Sequence, residues 1–384
     1  MQKLKIGLNL LYLRPGRVGG SETYVRSILE ELLKKDSLEI HLFGSTETID
    51  SFPEQENLKL VSVSSTGFSQ TGRLWDENVR QSQLVKGVDV LWSPANFIAP
   101  GLPSRIPQVA TIHDLQHLLF PENFSAVQRM VREILFRLTF WKSTAWIAIS
   151  DFTRRDVLAR YGVAPGKSHS VLHGADFPEK PEKEEVKRIL EKYKLDCPFF
   201  LYPATLSSHK GHSFLIDCFA KVVEQSTAPK PKLLFTGQQV GQWDHCKDQI
   251  RKLGVEKYID HLGYIPRTDV TTLMTAAKAL LFGSRFEGFG LPILEAMSLG
   301  TPVLASRNTA IPEVAGKGAW LLDTNDVEGW TEAILQIAKD DNLANHLIQK
   351  GYENNKRFSW QKCASETLSI LAAASKHPHR KEIE

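Results

Sequence analysis

One stretch constrains the fold of this chain more than any other: residues 279–300, AlaLeuLeuPheGlySerArgPheGluGlyPheGlyLeuProIleLeuGluAlaMetSerLeuGly. The apolar run Ala279–Phe282 reads as a buried strand. Glu287-Gly288-Phe289-Gly290 is a glycine-rich turn, and a helix follows from Leu291 with Pro292 in its first turn, where a missing N–H costs nothing. Strand, glycine turn and helix in that order aim backbone N–H groups and the positive end of a helix dipole at an anion. Glu287 then lies at the carboxyl edge of a sheet, where open α/β folds bind ligands. Glu295 falls about one turn into the helix. A phosphate cradle flanked by two acids suits a sugar nucleotide, with N–H groups for the phosphates and carboxylates for sugar hydroxyls. A plain turn with a dipole-complementing glutamate fits the same residues.

The chain's 384 residues are too many for one compact core and fit two domains of ordinary size. Hydrophobic residues make up 42%, but no uncharged apolar run approaches the ~18 residues that span a bilayer. A soluble globular protein is expected. The opening MetGlnLysLeuLysIleGlyLeuAsnLeu has a short apolar stretch interrupted by Asn9 and no small-residue cleavage site after it. It reads as a first strand rather than a signal peptide. Cys197, Cys218, Cys246 and Cys363 are far apart and form no CysXxxXxxCys pair, which argues against a zinc site and for a reducing compartment. A net charge of +3 is too small to imply nucleic acid as a partner.

Strands are expected at Leu4–Leu10, Ile40–Phe43, Leu58–Val63 and Val88–Trp92, alternating with helical or looped segments as in a doubly wound parallel sheet. A helix is expected from an N-cap at Ser21, because Tyr24, Val25, Ile28, Leu29, Leu32 and Leu33 keep the helical period. Apolar residues run up to Ile112, so His113 and Asp114 fall at a strand's carboxyl end, where a polar pair is unusual for packing and useful for chemistry. The proline-marked, charge-dense segment 178–187 reads as a linker between residues 1–177 and 188–356. Beyond it the alternation restarts, at 199–202, 232–237, 258–263, 279–283 and 302–306. Helices follow at about 326–339 and 341–355, and another after 358–360, with a polar frayed tail past Ser375. TyrProAlaThrLeuSerSerHisLysGlyHis (202–212) leaves a strand and enters a helix at Gly211, so Lys210 stands beside a helix N-terminus, a setting that favours phosphate.

GluGlyPheGlyLeuProIleLeuGlu, a Glu, seven residues and a Glu, resembles the signature of the retaining glycosyltransferases of family 4, which have the GT-B fold. ThrProValLeuAlaSer (301–306) and IleProGluVal (311–314) match that family as well. The resemblance implies an α/β protein with two Rossmann-like doubly wound domains facing across a cleft, the C-terminal helix (357–384) crossing back to the N-terminal domain. It gives Glu287 the donor sugar, Glu295 the ribose, Lys210 the diphosphate, and the turn Gly288, Phe289, Gly290 and Leu291 the phosphates. Gly19 and Gly20 approach those phosphates from the N-terminal domain, and backbone near Ile265 meets the base. The Arg usual a few residues before the lysine is Thr205 here, and His209 or Arg285 is a candidate replacement. HisAspLeuGlnHis (113–117) resembles a bacterial polysaccharide-assembly branch in which the His lies beside the transferred sugar, which makes His113 a catalytic candidate with Glu287 and gives His117 weaker support.

The expected reaction is retaining transfer of a hexose to a saccharide or lipid-linked saccharide. Mannose from GDP-mannose is the donor the resemblance favours; a UDP-sugar donor, a sugar-nucleotide 2-epimerase and a non-catalytic nucleotide-sugar sensor are the alternatives. No AspXxxAsp-type cluster is apparent, so Lys210 and the helix after Gly290 must stabilise the leaving diphosphate. No metal and no cofactor are expected. Residues 125–146 read as a helix with Arg129, Arg132, Arg137 and Lys142 against Glu133, and Arg154, Arg155 and Arg160 one helix later extend its basic side. That pattern fits either a solvated face or peripheral contact with an anionic membrane, on the cytoplasmic face of the inner membrane.

Overall fold

The computed structural model describes residues 3–16, 20–64, 84–85, 87–103, 105–227, 229–239 and 241–377. Gly19 and the tail beyond His377 lie outside them. The chain forms two compact units: residues 1–174 with 358–384, and residues 175–357.

The first unit is built on a seven-stranded parallel sheet: β1 (Leu4–Asn9), β2 (Leu38–Ser45), β3 (Leu58–Ser64), β4 (Val90–Ser93), β5 (Gln108–Ile112), β6 (Ala145–Ala148) and β7 (Ser168–Ser170), in the order β3-β2-β1-β4-β5-β6-β7. β4, β5 and β6 are buried along their whole length, as strands covered by helices on both faces must be. The helix Gly20–Leu33 supplies Tyr24, Val25, Ile28, Leu29 and Leu32 to the core. It begins at Gly20, so Ser21 is a helical residue rather than the cap. The last helix, Trp360–Ser375, packs against Gly20–Leu33 and adds Trp360, Cys363, Ala364, Leu371 and Ala374 to the core cluster that holds β1. Gly174 makes that approach possible: a Cβ there would sit 2.4 Å from the Trp360 backbone nitrogen.

The second unit has a six-stranded parallel sheet: β8 (Phe199–Pro203), β9 (Lys232–Thr236), β10 (Ile259–His261), β11 (Leu280–Phe282), β12 (Val303–Ser306) and β13 (Trp320–Leu322). The order is β10-β9-β8-β11-β12-β13. It reverses between β8 and β11, as in a dinucleotide-binding sheet, and ligands bind beyond the carboxyl ends of the strands at such a switch point.

Three segments differ from their expected form. Residues 145–148 are strand β6, because the helix before them, Ala126–Lys142, stops at the extended Ser143. The second half of the expected linker is helical: Lys183–Lys192 is a helix that buries Ile189 and belongs to the second unit. Gly211 is not helical but left-handed, between a short 3-10 turn (Ser208–Lys210) and the helix His212–Gln225.

Candidate active site

The second unit gathers most of the expected residues at the β8/β11 switch point. Beyond β8 the chain runs through Thr205 to Lys210 and Gly211; beyond β11 it runs through Ser284 and Arg285 to Glu287. The two loops are sewn together. The Arg285 N–H donates to the His209 carbonyl at 2.7 Å, and the buried Ser284 hydroxyl contacts the His209 and Phe286 carbonyls at 3.3 and 3.0 Å. Gly211 has φ +71° and its Cβ position lies 2.2 Å from the Gly283 carbonyl oxygen, so both the dihedral and the close approach require glycine.

Across this seam Lys210 Nζ meets Glu287 Oε1 at 2.7 Å, with the two side chains only 21% and 12% exposed. Neighbours hold both. The Tyr202 hydroxyl donates to the Lys210 carbonyl at 2.8 Å, and the Glu287 N–H donates to Thr309 Oγ1 at 3.0 Å. Thr309 itself has φ +54°, a costly conformation for a β-branched residue that marks many ligand sites.

Gly288, Phe289 and Gly290 complete the turn, Gly290 with φ +106° as the N-cap of Leu291–Leu299 and Pro292 in the first turn. A glycine cap offers no side chain to the first N–H groups of that helix. Pro292 has none and the Ile293 N–H donates to the Gly290 carbonyl at 3.1 Å, so an anion there would meet the helix dipole and chiefly the Leu291 N–H. Glu295 lies one turn in, where burial pushes its carboxyl pKa up and Arg267 pulls it partly back. Their contact is 3.1 Å and Arg267 is 64% exposed, so the pair opens at little cost. Ile265 is buried after the left-handed Gly263, with Tyr264 beside it in solvent. Arg285 is exposed, while His209 Nδ1 lies 3.2 Å from Ser207 Oγ. Both candidate replacements for the missing arginine therefore belong to the sewn loops.

In the first unit, His113 follows β5 directly. Its N–H donates to Asn96 Oδ1 at 2.8 Å and its Nε2 lies 2.7 Å from the Pro94 carbonyl oxygen. A carbonyl only accepts, so Nε2 carries the proton and Nδ1 of the neutral ring is the acceptor. Burial pushes the pKa of His113 down, with the Pro94 contact and Asp114 opposing. The ring leans edge-on against Tyr24 at 5.2 Å. Tyr24 stacks on His173 at 4.5 Å, and Trp360 closes the cluster 5.7 Å from His173. Gly20 opens the helix that carries Tyr24.

His117 does not join His113. It is buried and stacked on Phe136 at 4.9 Å, a packing role. Arg154, Arg155 and Arg160 share two carboxylates: Arg155 and Arg160 pair with Asp151 and Asp156 at 2.9 and 2.6 Å, and Arg154 also faces Asp151. Tyr202, Thr309, Arg267, Asn96 and His173 are not among the residues expected from sequence. Tyr202 is eight residues from Lys210 and carried a local signal in its TyrPro, whereas the other four lie 17 or more residues along the chain from the group each touches.

Among the described residues no three His, Cys, Asp or Glu side chains cluster as metal ligands. No helix among them is long and apolar enough to cross a membrane.

Comparison with known proteins agrees with this geometry. Residues 18–177 match the family model described as Glycosyltransferase Family 4, and residues 182–354 the model described as Glycosyl transferases group 1. An O-antigen chain mannosyltransferase B of Escherichia coli is 28% identical over 86% of this chain and 90% of its own. A mannosylfructose-phosphate synthase of Agrobacterium fabrum is 22% identical over 91% of this chain and 76% of its own. Among solved structures, sucrose-phosphate synthase from Thermosynechococcus elongatus superposes with a TM-score of 0.76 at 18% identity, covering 97% of this chain and 99% of that one. Anabaena Alr3699/HepE, solved with UDP and glucose, gives 0.76 at 20% identity over 96% of this chain and 100% of its own. With two parallel Rossmann-like units, one matched by each family model, the chain belongs to the family 4 glycosyltransferases of GT-B fold.

Proposed function

We propose that this protein moves a hexose from a nucleoside-diphosphate sugar to a hydroxyl of a saccharide or lipid-linked saccharide, with retention of anomeric configuration and without a divalent metal. The observation that carries the reading is the Lys210–Glu287 pair at the β8/β11 switch point, beside the glycine-capped helix. In the proposed reaction Lys210 and the helix N-terminus after Gly290 take the charge that builds on the leaving diphosphate. Glu287 holds donor hydroxyls and stabilises the oxocarbenium-like ring, Glu295 binds the ribose, and backbone near Ile265 meets the base. His113, its tautomer set by Pro94, presents Nδ1 to a sugar hydroxyl, and Gly19 and Gly20 serve the phosphates from the first unit. Retention in this reading puts the acceptor on the leaving-group face, with no carboxylate assigned as a covalent nucleophile.

Mannose from GDP-mannose is the donor we favour, on the relatives that are named mannosyltransferases. The UDP-bound structural neighbours support the second reading, a UDP-sugar. A lipid-linked acceptor would bring the protein, as a peripheral one, to the cytoplasmic face of a membrane. Thermal shift across nucleotide sugars separates the donors. Glu287→Ala is expected to lower transfer by roughly 10²–10³-fold, and wild-type activity in that variant would refute the assignment. Activity in EDTA is expected to equal activity in added magnesium or manganese.

A further inference from the structure

The helix Ala126–Lys142 is anchored in the first unit through Phe136, Thr139 and Phe140. Its far side carries four large apolar side chains in water: Val127 (66% exposed), Met130 (58%), Ile134 (51%) and Trp141 (67%). At about 100° per residue these four fall within an arc of roughly 60°. The described residues include nine such exposed apolar side chains, so four on one helix face is a patch and not scatter. Ser125 and Gln128 form a complete capping box at the amino end of the helix, which fixes the stripe on a regular helix.

Cations border the stripe. Arg137, 71% exposed and tied to Glu133 at 2.8 Å, lies on one side, and Lys142, within 5.9 Å of the Trp141 ring, on the other. Arg129, exposed toward the amino end, and Arg132, whose guanidinium lies over the Phe124 ring at 4.8 Å, sit about 100° or more round the helix from the stripe. Four cations face a single carboxylate on this helix, whereas the three arginines of Asp151–Tyr161 share two carboxylates of their own. A stripe one helix wide is narrow against the ~800 Å² per partner of a stable protein interface, and charges are depleted from the core of such interfaces. Basic side chains beside an apolar stripe instead match anionic headgroups above acyl chains, with an amphipathic Trp at the boundary.

We propose that this helix is a membrane-docking face. Val127, Met130, Ile134 and Trp141 enter the headgroup–acyl boundary of an anionic lipid surface, and Arg137 and Lys142 lie among the lipid phosphates. The proposal goes beyond the transferase reading and does not depend on its donor chemistry. The test uses the full chain and vesicles of phosphatidylcholine with or without phosphatidylglycerol, some carrying brominated acyl chains. Wild-type protein should sediment with the phosphatidylglycerol vesicles, less so in high salt, and brominated chains should quench a fluorescence component missing from Trp141→Phe. The triple variant Met130→Ser/Ile134→Ser/Trp141→Ser should bind at least about tenfold more weakly, with circular dichroism and nucleotide-sugar binding unchanged. Equal sedimentation of variant and wild type overturns the proposal. So does a wild-type protein that ignores anionic vesicles, or one that self-associates through this face in ultracentrifugation without binding lipid. Loss of donor binding with vesicle binding intact would instead count against the transferase reading alone.

Discussion

Lys210 and Glu287 occupy each other at 2.7 Å in the structure, yet the proposed reaction needs the lysine on a diphosphate and the carboxylate on a sugar. The incoming diphosphate must therefore take the lysine from the carboxylate. Glu287→Gln should bind GDP or UDP about three- to tenfold more tightly than wild type, because a competing charge is gone, while transfer is lost. Lys210→Ala should weaken the same binding by about 1.5–3 kcal/mol, the scale of a charge-assisted contact. Titration calorimetry reads both, and unchanged affinity in the Gln variant would show that the two groups do not compete. Residue pattern left both positions open, Glu287 in a glycine turn and Lys210 beside a glycine, and the family resemblance singled them out. Thr309 and Arg267 were not legible. Nothing around Thr309 in the sequence announces its left-handed backbone, and Arg267 meets Glu295 only once two helices are packed.

Elements were most legible where glycine and proline punctuate them. Gly211 shows why the sewn loops need that residue: Gly211→Ala would require an L side chain at φ +71° and a Cβ 2.2 Å from the Gly283 carbonyl. Left-handed backbone alone costs about 1–2 kcal/mol, and the overlap must push the β8 and β11 loops apart. Gly211→Ala is therefore expected to melt earlier and to lose nucleotide binding, whereas alanine at Gly241, which meets nothing within 4 Å, should leave binding intact. Paired melting and binding curves check this. Residues 145 and 146 were misread as the end of a helix because a short apolar run after a helix has no period of its own, and strand and buried helix then look alike. Residues 183–192 were read as half linker because charge and proline dominate 178–187, although one amphipathic face buries Ile189.

For the whole molecule, several imidazoles are folded away in their neutral form. Burial pushes His173 well below its ordinary pKa and takes His212, against Tyr202 and Phe235, from 6.5 to about 3. The unfolded chain binds the proton first, so the contribution of His212 to stability is complete above pH 6.5 and drains away as the pH falls toward 3. Between pH 6.5 and 5 this amounts to about 2 kcal/mol for the one ring. His212→Phe should lose correspondingly less stability than wild type over that interval in parallel urea titrations, and equal slopes would reject the assignment. The division into two units has a separate consequence. The second unit is continuous, residues 175–357, whereas the first is completed only by the helix Trp360–Ser375, which supplies part of its core. On the ribosome the unit synthesised later can thus close first, and the unit begun earlier must wait, with an apolar gap beside β4 and the helix Gly20–Leu33, until residues 360–375 have been made.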